Sequence, residues 1–191
     1  MSTERLKAFS DGVIAIIITI MVLELKPPHD ATLAALTPLV PVFISYILSF
    51  IYVGIYWNNH HHLMNIAKCV NGSILWANLH LLFWLSLFPF ATAWMGENHS
   101  STIPVAFYGI VLLMAAVAYY LLTLALIKEH GKESHLATAI GNDFKGKISV
   151  FLYFAAILLA LVNAWLGFAV YIGVAVMWLV PDRRIEKSIA E

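Results

Sequence analysis

Cysteine is nearly absent from this chain, with Cys69 alone among 191 residues, which excludes an internal disulfide framework. Charge is scarce as well. Charged residues make up 12%, and 11 acidic and 11 basic side chains balance to zero. With no basic excess there is no stripe to track phosphates, so nucleic acid is not an expected partner. Several motifs are missing too. There is no Thr-Val-Gly-Tyr-Gly loop for a carbonyl-lined potassium filter and no arginine-repeat helix for voltage sensing. A nucleotide loop, an HExxH zinc motif and a GxSxG elbow are also absent, so no catalytic machinery or cofactor is expected.

What the chain has in quantity is hydrocarbon: 61% of residues are hydrophobic and mean hydropathy is +0.84. That balance describes an integral membrane protein. A spanning helix needs roughly 20 mostly apolar residues, and on that basis six segments stand out, at about 8–26, 34–57, 70–95, 103–128, 148–165 and 167–181. The expected breaks are Lys26-Pro27-Pro28, the polar run Asn58 to His62, Gly96-Glu97-Asn98, and the polar stretch from Lys128 to Lys147. The last two segments are divided only at Asn163 to Gly167, which requires a tight helical hairpin, and the sixth, ending at Pro181, is short for a span. No soluble module fits between the runs, so residues 1–191 are expected to form a single all-α membrane domain.

Lysines and arginines set the orientation. Arg5, Lys7, Lys68, Lys128, Lys132, Lys145, Lys147, Arg183, Arg184 and Lys187 share one side of a six-span layout, leaving Lys26 alone on the other. The positive-inside rule then puts both termini in the cytoplasm.

The first apolar segment carries the most information. At about 100° per residue, Ile16, Thr19, Ile20 and Leu23 fall within one arc of about 100°, and Phe9 and Gly12 extend it inward. Branched apolar residues facing lipid would give the same stripe. Thr19, however, places a hydroxyl where ions could meet it, and rings of Ile or Leu are one way to build a constriction that gates by dewetting. Asp11 lies about 140° from Ile16 on the same wheel, so it is expected to point into the subunit's own bundle as an anchor. A carboxylate inside a membrane helix needs a partner.

The cluster Trp57-Asn58-Asn59-His60-His61-His62 closes the second segment at the level of Arg5 and Asp11. Three consecutive histidines radiate over about 200° on a helix, a poor arrangement for shared metal ligation, so no metal site is expected. The preferred reading is that one or two of the histidines and an Asn hydrogen-bond to Asp11, tying the first helix to the second.

Arg5-x3-Phe9-Ser10-Asp11, the Ile/Thr stripe and the Trp57–His62 cluster together resemble the prokaryotic branch of the transmembrane protein 175 potassium-channel family, over essentially all 191 residues. The resemblance implies a homotetramer of six-span subunits whose first helices line a central pore. Ile16, Ile20 and Leu23 would be its constriction, with Ile16 narrowest, and Thr19 a hydroxyl contributing to selectivity. Arg5, Phe9, Ser10, Asp11, Trp57, Asn59, His60 and His61 would form the network that packs the pore helix. The expected function is a passive potassium-preferring cation channel in the cell (inner) membrane, its partners being potassium and other monovalent cations, lipid and copies of itself. The alternative is a small secondary transporter or proton-coupled carrier using Asp11 and the histidines.

Overall fold

The first helix, α1 (Thr3–Leu23), runs past its predicted start because nothing between Ser2 and Ala8 breaks it, and it stops just before the predicted Lys26-Pro27-Pro28 signal. The computed structural model describes residues 2–131, 133–134, 137–138, 141 and 143–179, and it places no strand among them. Of the predicted boundary residues and charges, Lys132, Pro181, Arg183, Arg184 and Lys187 lie outside that set.

A 3-10 turn, Leu33–Leu39, leads into α2 (Val40–Ile66), and the two together form one apolar span of 34 residues. Here the structure corrects the predicted layout. The polar run Asn58 to His62 is not a break, since α2 continues through it to Ile66. No Pro or Gly interrupts the cluster, and two of its side chains, Trp57 and His60, find partners on neighbouring helices, so packing overrides polarity as a helix terminator.

The third span is two helices, α3 (Gly72–Ser86) and α4 (Phe88–Glu97), jointed at Leu87. Pro89 accounts for the joint, because it lacks an N–H and its ring cannot sit against the carbonyl four residues earlier. Asn71 caps α3 by accepting the Ile74 N–H at 3.0 Å. α5 (Thr102–His130) is the longest helix, at 29 residues. α6 (Phe144–Val162) and α7 (Ala164–Leu179) form the predicted hairpin, turned by the extended backbone of Asn163, whose Oδ1 accepts the Trp165 N–H at 2.9 Å. The described residues of α7 number 16, about 24 Å at 1.5 Å each.

α5 forms the middle of the bundle, packed on α3 and α4 on one side and on α6 and α7 on the other, while α1 packs on α2, α3 and α4. Small residues allow this close approach. A Cβ at Gly109 of α5 would collide with the Tyr171 hydroxyl and lie 2.8 Å from Ile157 Cγ1, and one at Gly167 would lie 2.5 Å from Ala160 Cβ. The Tyr171 hydroxyl is itself fixed by donating to the Val105 carbonyl at 3.1 Å. Gly109→Ala should therefore lower stability by about 1–3 kcal/mol through overpacking. Thermal unfolding in detergent checks this, and an unchanged midpoint would mean that α5 and α7 are not packed as described.

Candidate functional site

α1 has two faces with different fates. Leu6, Ser10, Ile14, Ile17 and Met21 recur every three or four residues and are buried against α2, α3 and α4. The opposite face is left bare. Phe9 is 52% exposed, Ile16 58%, Ile20 41% and Leu23 77%, with Thr19 also exposed between them. An added Cβ at Gly12 would meet nothing within 4 Å. These are the residues of the predicted stripe, and none of the described residues covers them.

The Thr19 hydroxyl donates to the Ile16 carbonyl at 2.8 Å. Its proton is thus held by the helix, which leaves the oxygen lone pairs as the part of the group offered outward. An oxygen so presented suits a cation.

Behind this face, two sets of hydrogen bonds tie α1 to its neighbours. In the first, Trp57 Nε1 of α2 donates to Asp11 Oδ1 at 3.0 Å. The Trp57 ring lies against that of His61, with centroids 5.8 Å apart. In the second, His60 Nε2 pairs with Asn78 Oδ1 at 2.7 Å, Asn78 Nδ2 donates to Ser10 Oγ at 3.0 Å, and Ser10 Oγ donates to the Leu6 carbonyl at 2.8 Å. Because Asn78 Oδ1 can only accept, the proton between it and His60 must sit on His60 Nε2. The whole relay then runs in one direction, from α2 through α3 to α1. His60, Asn78 and Ser10 are all buried.

The structure pairs these groups differently from the expectation. No histidine hydrogen-bonds to Asp11 among the described residues; Trp57 takes that role, and the histidine that reaches towards α1 does so through Asn78. Asn59, expected in the packing network, donates to the Ile55 carbonyl of its own helix at 2.9 Å and accepts at its carbonyl from the Tyr119 hydroxyl at 3.3 Å. Arg5 is exposed with no hydrogen-bonding partner among the described residues; the ion pair at that end of α1 is Lys7 with Glu4, at 2.9 Å. Phe9 stands on the open face. Asn78 was missed altogether, although a buried-amide signal was present: it is an amide in the middle of an otherwise apolar run.

Asn78 is the hub of the second set, since its loss strands a donor on His60 and an acceptor on Ser10 at once. Asn78→Leu should cost about 1–3 kcal/mol for those buried groups. The readout is the unfolding midpoint in detergent, and a variant as stable as the parent would show that the relay contributes nothing.

Comparison with known proteins gives a consistent set of matches. The family model for the endosomal/lysosomal potassium channel TMEM175 matches residues 5–89, which hold α1, the Trp/His cluster and Asn78. A protein from Chryseobacterium sp. (strain P1-3) named a potassium channel is 56% identical over 191 residues, covering the whole of both chains. The crystal structure of a lysosomal potassium-selective channel TMEM175 homolog from Chamaesiphon minutus superimposes with a TM-score of 0.82 at 26% identity, over 93% of this chain and 96% of that one. The human endosomal/lysosomal proton channel TMEM175 is 35% identical over 96 residues, which is 44% of this chain and 19% of that protein.

Proposed function

Because the chain belongs to the TMEM175 family of ion channels, we propose that it is a passive, potassium-preferring cation channel, assembled as a homotetramer with one α1 from each subunit around a central pore. A family of channels supplies conduction, not catalysis. The observation that carries the reading is the bare stripe of α1. Its opposite face is packed, its residues are apolar except for one exposed hydroxyl, and cyclic symmetry would turn each exposed residue into a ring of four.

In this arrangement Ile16, Ile20 and Leu23 form stacked hydrophobic rings, with Ile16 the narrowest, and Thr19 forms a hydroxyl ring between the first two. Water and ions cross such a constriction only where it is wide enough to stay wetted, and oxygens in the Thr19 ring replace part of an ion's hydration shell. Ser10, Asp11, Trp57 and His60, together with Asn78, hold α1 at its tilt, with His61 stacked behind Trp57. The 191 residues act as one six-span channel domain in the cell (inner) membrane, with both termini in the cytoplasm, surrounded by lipid. Arg5, Lys7, Lys68, Lys128, Lys145 and Lys147 then share the cytoplasmic end.

A proton-coupled carrier would need Asp11 and a histidine within proton-transfer reach. Among the described residues Asp11 is taken by Trp57 and His60 by Asn78, an arrangement that favours the channel.

Thr19→Ala tests the selectivity assignment. Potassium and sodium fluxes in liposomes should remain, with their ratio lower by about fivefold, the equivalent of about 1 kcal/mol of differential stabilisation. An unchanged ratio would remove Thr19 from the selectivity site, and a lost tetramer would make it a packing residue.

A further inference from the structure

α5 ends on a histidine whose two ring nitrogens have fixed roles. His130 Nδ1 lies 2.9 Å from the Leu126 carbonyl of its own helix, and a carbonyl oxygen only accepts, so Nδ1 carries a proton. His130 Nε2 lies 2.9 Å from the Lys68 amide nitrogen and 3.3 Å from that of Cys69, and backbone amides only donate, so Nε2 must be a bare lone pair. The imidazole is therefore neutral, in its Nδ1–H form. The Cys69 thiol, with Sγ 3.6 Å from Nε2, is the one adjustable partner of that nitrogen.

Both amides belong to residues 67–71, the connection between α2 and α3. Among the described residues the Lys68 and Cys69 N–H groups have no other acceptor. Asn71 is fastened separately, since its Nδ2 donates to Glu129 Oε2 and its Oδ1 caps α3. The connection is thus tied to the end of α5 at two points, and one of them requires an uncharged imidazole.

A second proton would sit on Nε2 and aim an N–H at two N–H donors, turning both hydrogen bonds into repulsions. Imidazole is the side chain that takes up such a proton between about pH 8 and pH 5. Among the described residues no carboxylate stands within ion-pair distance of the ring. Glu129 is turned to Asn71, Glu133 is exposed, and the charged groups beside the ring in the chain and across the contact, Lys128 and Lys68, are themselves cationic. Asp143 and Lys147 of α6 share a cavity wall with Tyr119, about three turns back along α5, and Lys145 reaches the Met177 carbonyl. His62 of α2 and His80 of α3 lie more than a turn from either end of the connection. Lys68 and Cys69 are exposed, so water can take up the freed amides.

We propose that His130 is an acid-released latch. Neutral, it binds the connection between α2 and α3 to the end of α5; protonated, it lets the Lys68 and Cys69 amides go. Asn71 stays fastened through Glu129, so the opening is confined to residues 67–70. That segment lies about two turns from His60 along α2 and about two turns from Asn78 along α3, the pair whose relay holds α1. The latch is a property of the single chain and rests neither on conduction nor on assembly.

The test is amide hydrogen exchange of the protein in detergent at about pH 8 and about pH 5, read by mass spectrometry and expressed as protection factors, which remove the intrinsic pH dependence of exchange. Protection at residues 68 and 69 should fall by about tenfold on acidification, while the flanking turns of α2 and α5 keep theirs. His130→Phe keeps the bulk of the ring without its nitrogens and should show the low value at both pH values; His130→Leu serves if that variant does not fold. Equal protection of the parent at the two pH values, a loss shared by the whole of α2 and α5, or full protection of the variant at the higher pH would each overturn the proposal.

Discussion

Ile16→Asn is expected to raise potassium efflux from liposomes by about tenfold to a hundredfold, since a barrier lowered by about 1.4–2.7 kcal/mol has that effect on a rate. In the proposed tetramer a single substitution places four amides where four branched hydrocarbons stood. A ring of Ile side chains excludes ions by leaving too little polar surface to hold water in the constriction, and four amides supply donors and acceptors that keep it wet. Potassium and sodium should then pass at nearly equal rates, because a widened and hydrated ring no longer strips the ion's shell. Ile16 is also 58% exposed on the single chain, so the substitution disturbs little of the subunit's own packing. Conductance equal to that of the parent would remove Ile16 from the pore.

Asp11→Ala should act on assembly instead. Its carboxylate accepts from Trp57 across the α1–α2 contact at 3.0 Å, and hydrogen bonds to charged groups are worth about 1.5–3 kcal/mol each. Trp57 is 44% exposed, so this bond fixes a side chain that a second subunit would cover in the proposed tetramer. In the proposed tetramer four copies of the defect act together. The expected outcome is a large loss of tetramer in detergent, read by native mass or size exclusion, while the channels that remain keep the parent's preference for potassium. A variant that assembles normally but changes ion preference would place Asp11 at the pore and not behind it.

The periodic parts of this architecture were readable from residues alone. α1 announced its two faces because buried and exposed positions alternate at helical spacing, and the stripe through Ile16, Thr19, Ile20 and Leu23 is the face left uncovered. The α6–α7 hairpin was legible because Asn163 to Gly167 is the one interruption in a long apolar stretch. Pairings between helices were not. Whether Asp11 meets a histidine or Trp57 depends on how α1 is rotated against α2, which spacing within either helix does not encode. Asn78 lies in a run that counts as mostly apolar, a criterion that passes over a single amide. The joint at Leu87 had its signal in Pro89, but an apolar run of adequate length reads as one span until the missing N–H is counted. The Trp57–His62 cluster misled in the opposite sense, since polarity resembled a break where the helix uses those groups to bind its neighbours.

Thiol modification of α1 tests most directly whether its bare face lines the ion path. On a Cys69→Ser background, single cysteines would replace Ile14, Ile16 and Leu23, and potassium flux through the reconstituted protein would be followed as a water-soluble, positively charged methanethiosulfonate is added. Leu23→Cys and Ile16→Cys are predicted to lose flux on modification, with Leu23→Cys reacting faster from the outer side, while Ile14→Cys, whose parent residue is 1% exposed, stays unaffected. Labelling of Leu23→Cys and Ile16→Cys, established by mass, with undiminished potassium flux would contradict a pore lined by α1.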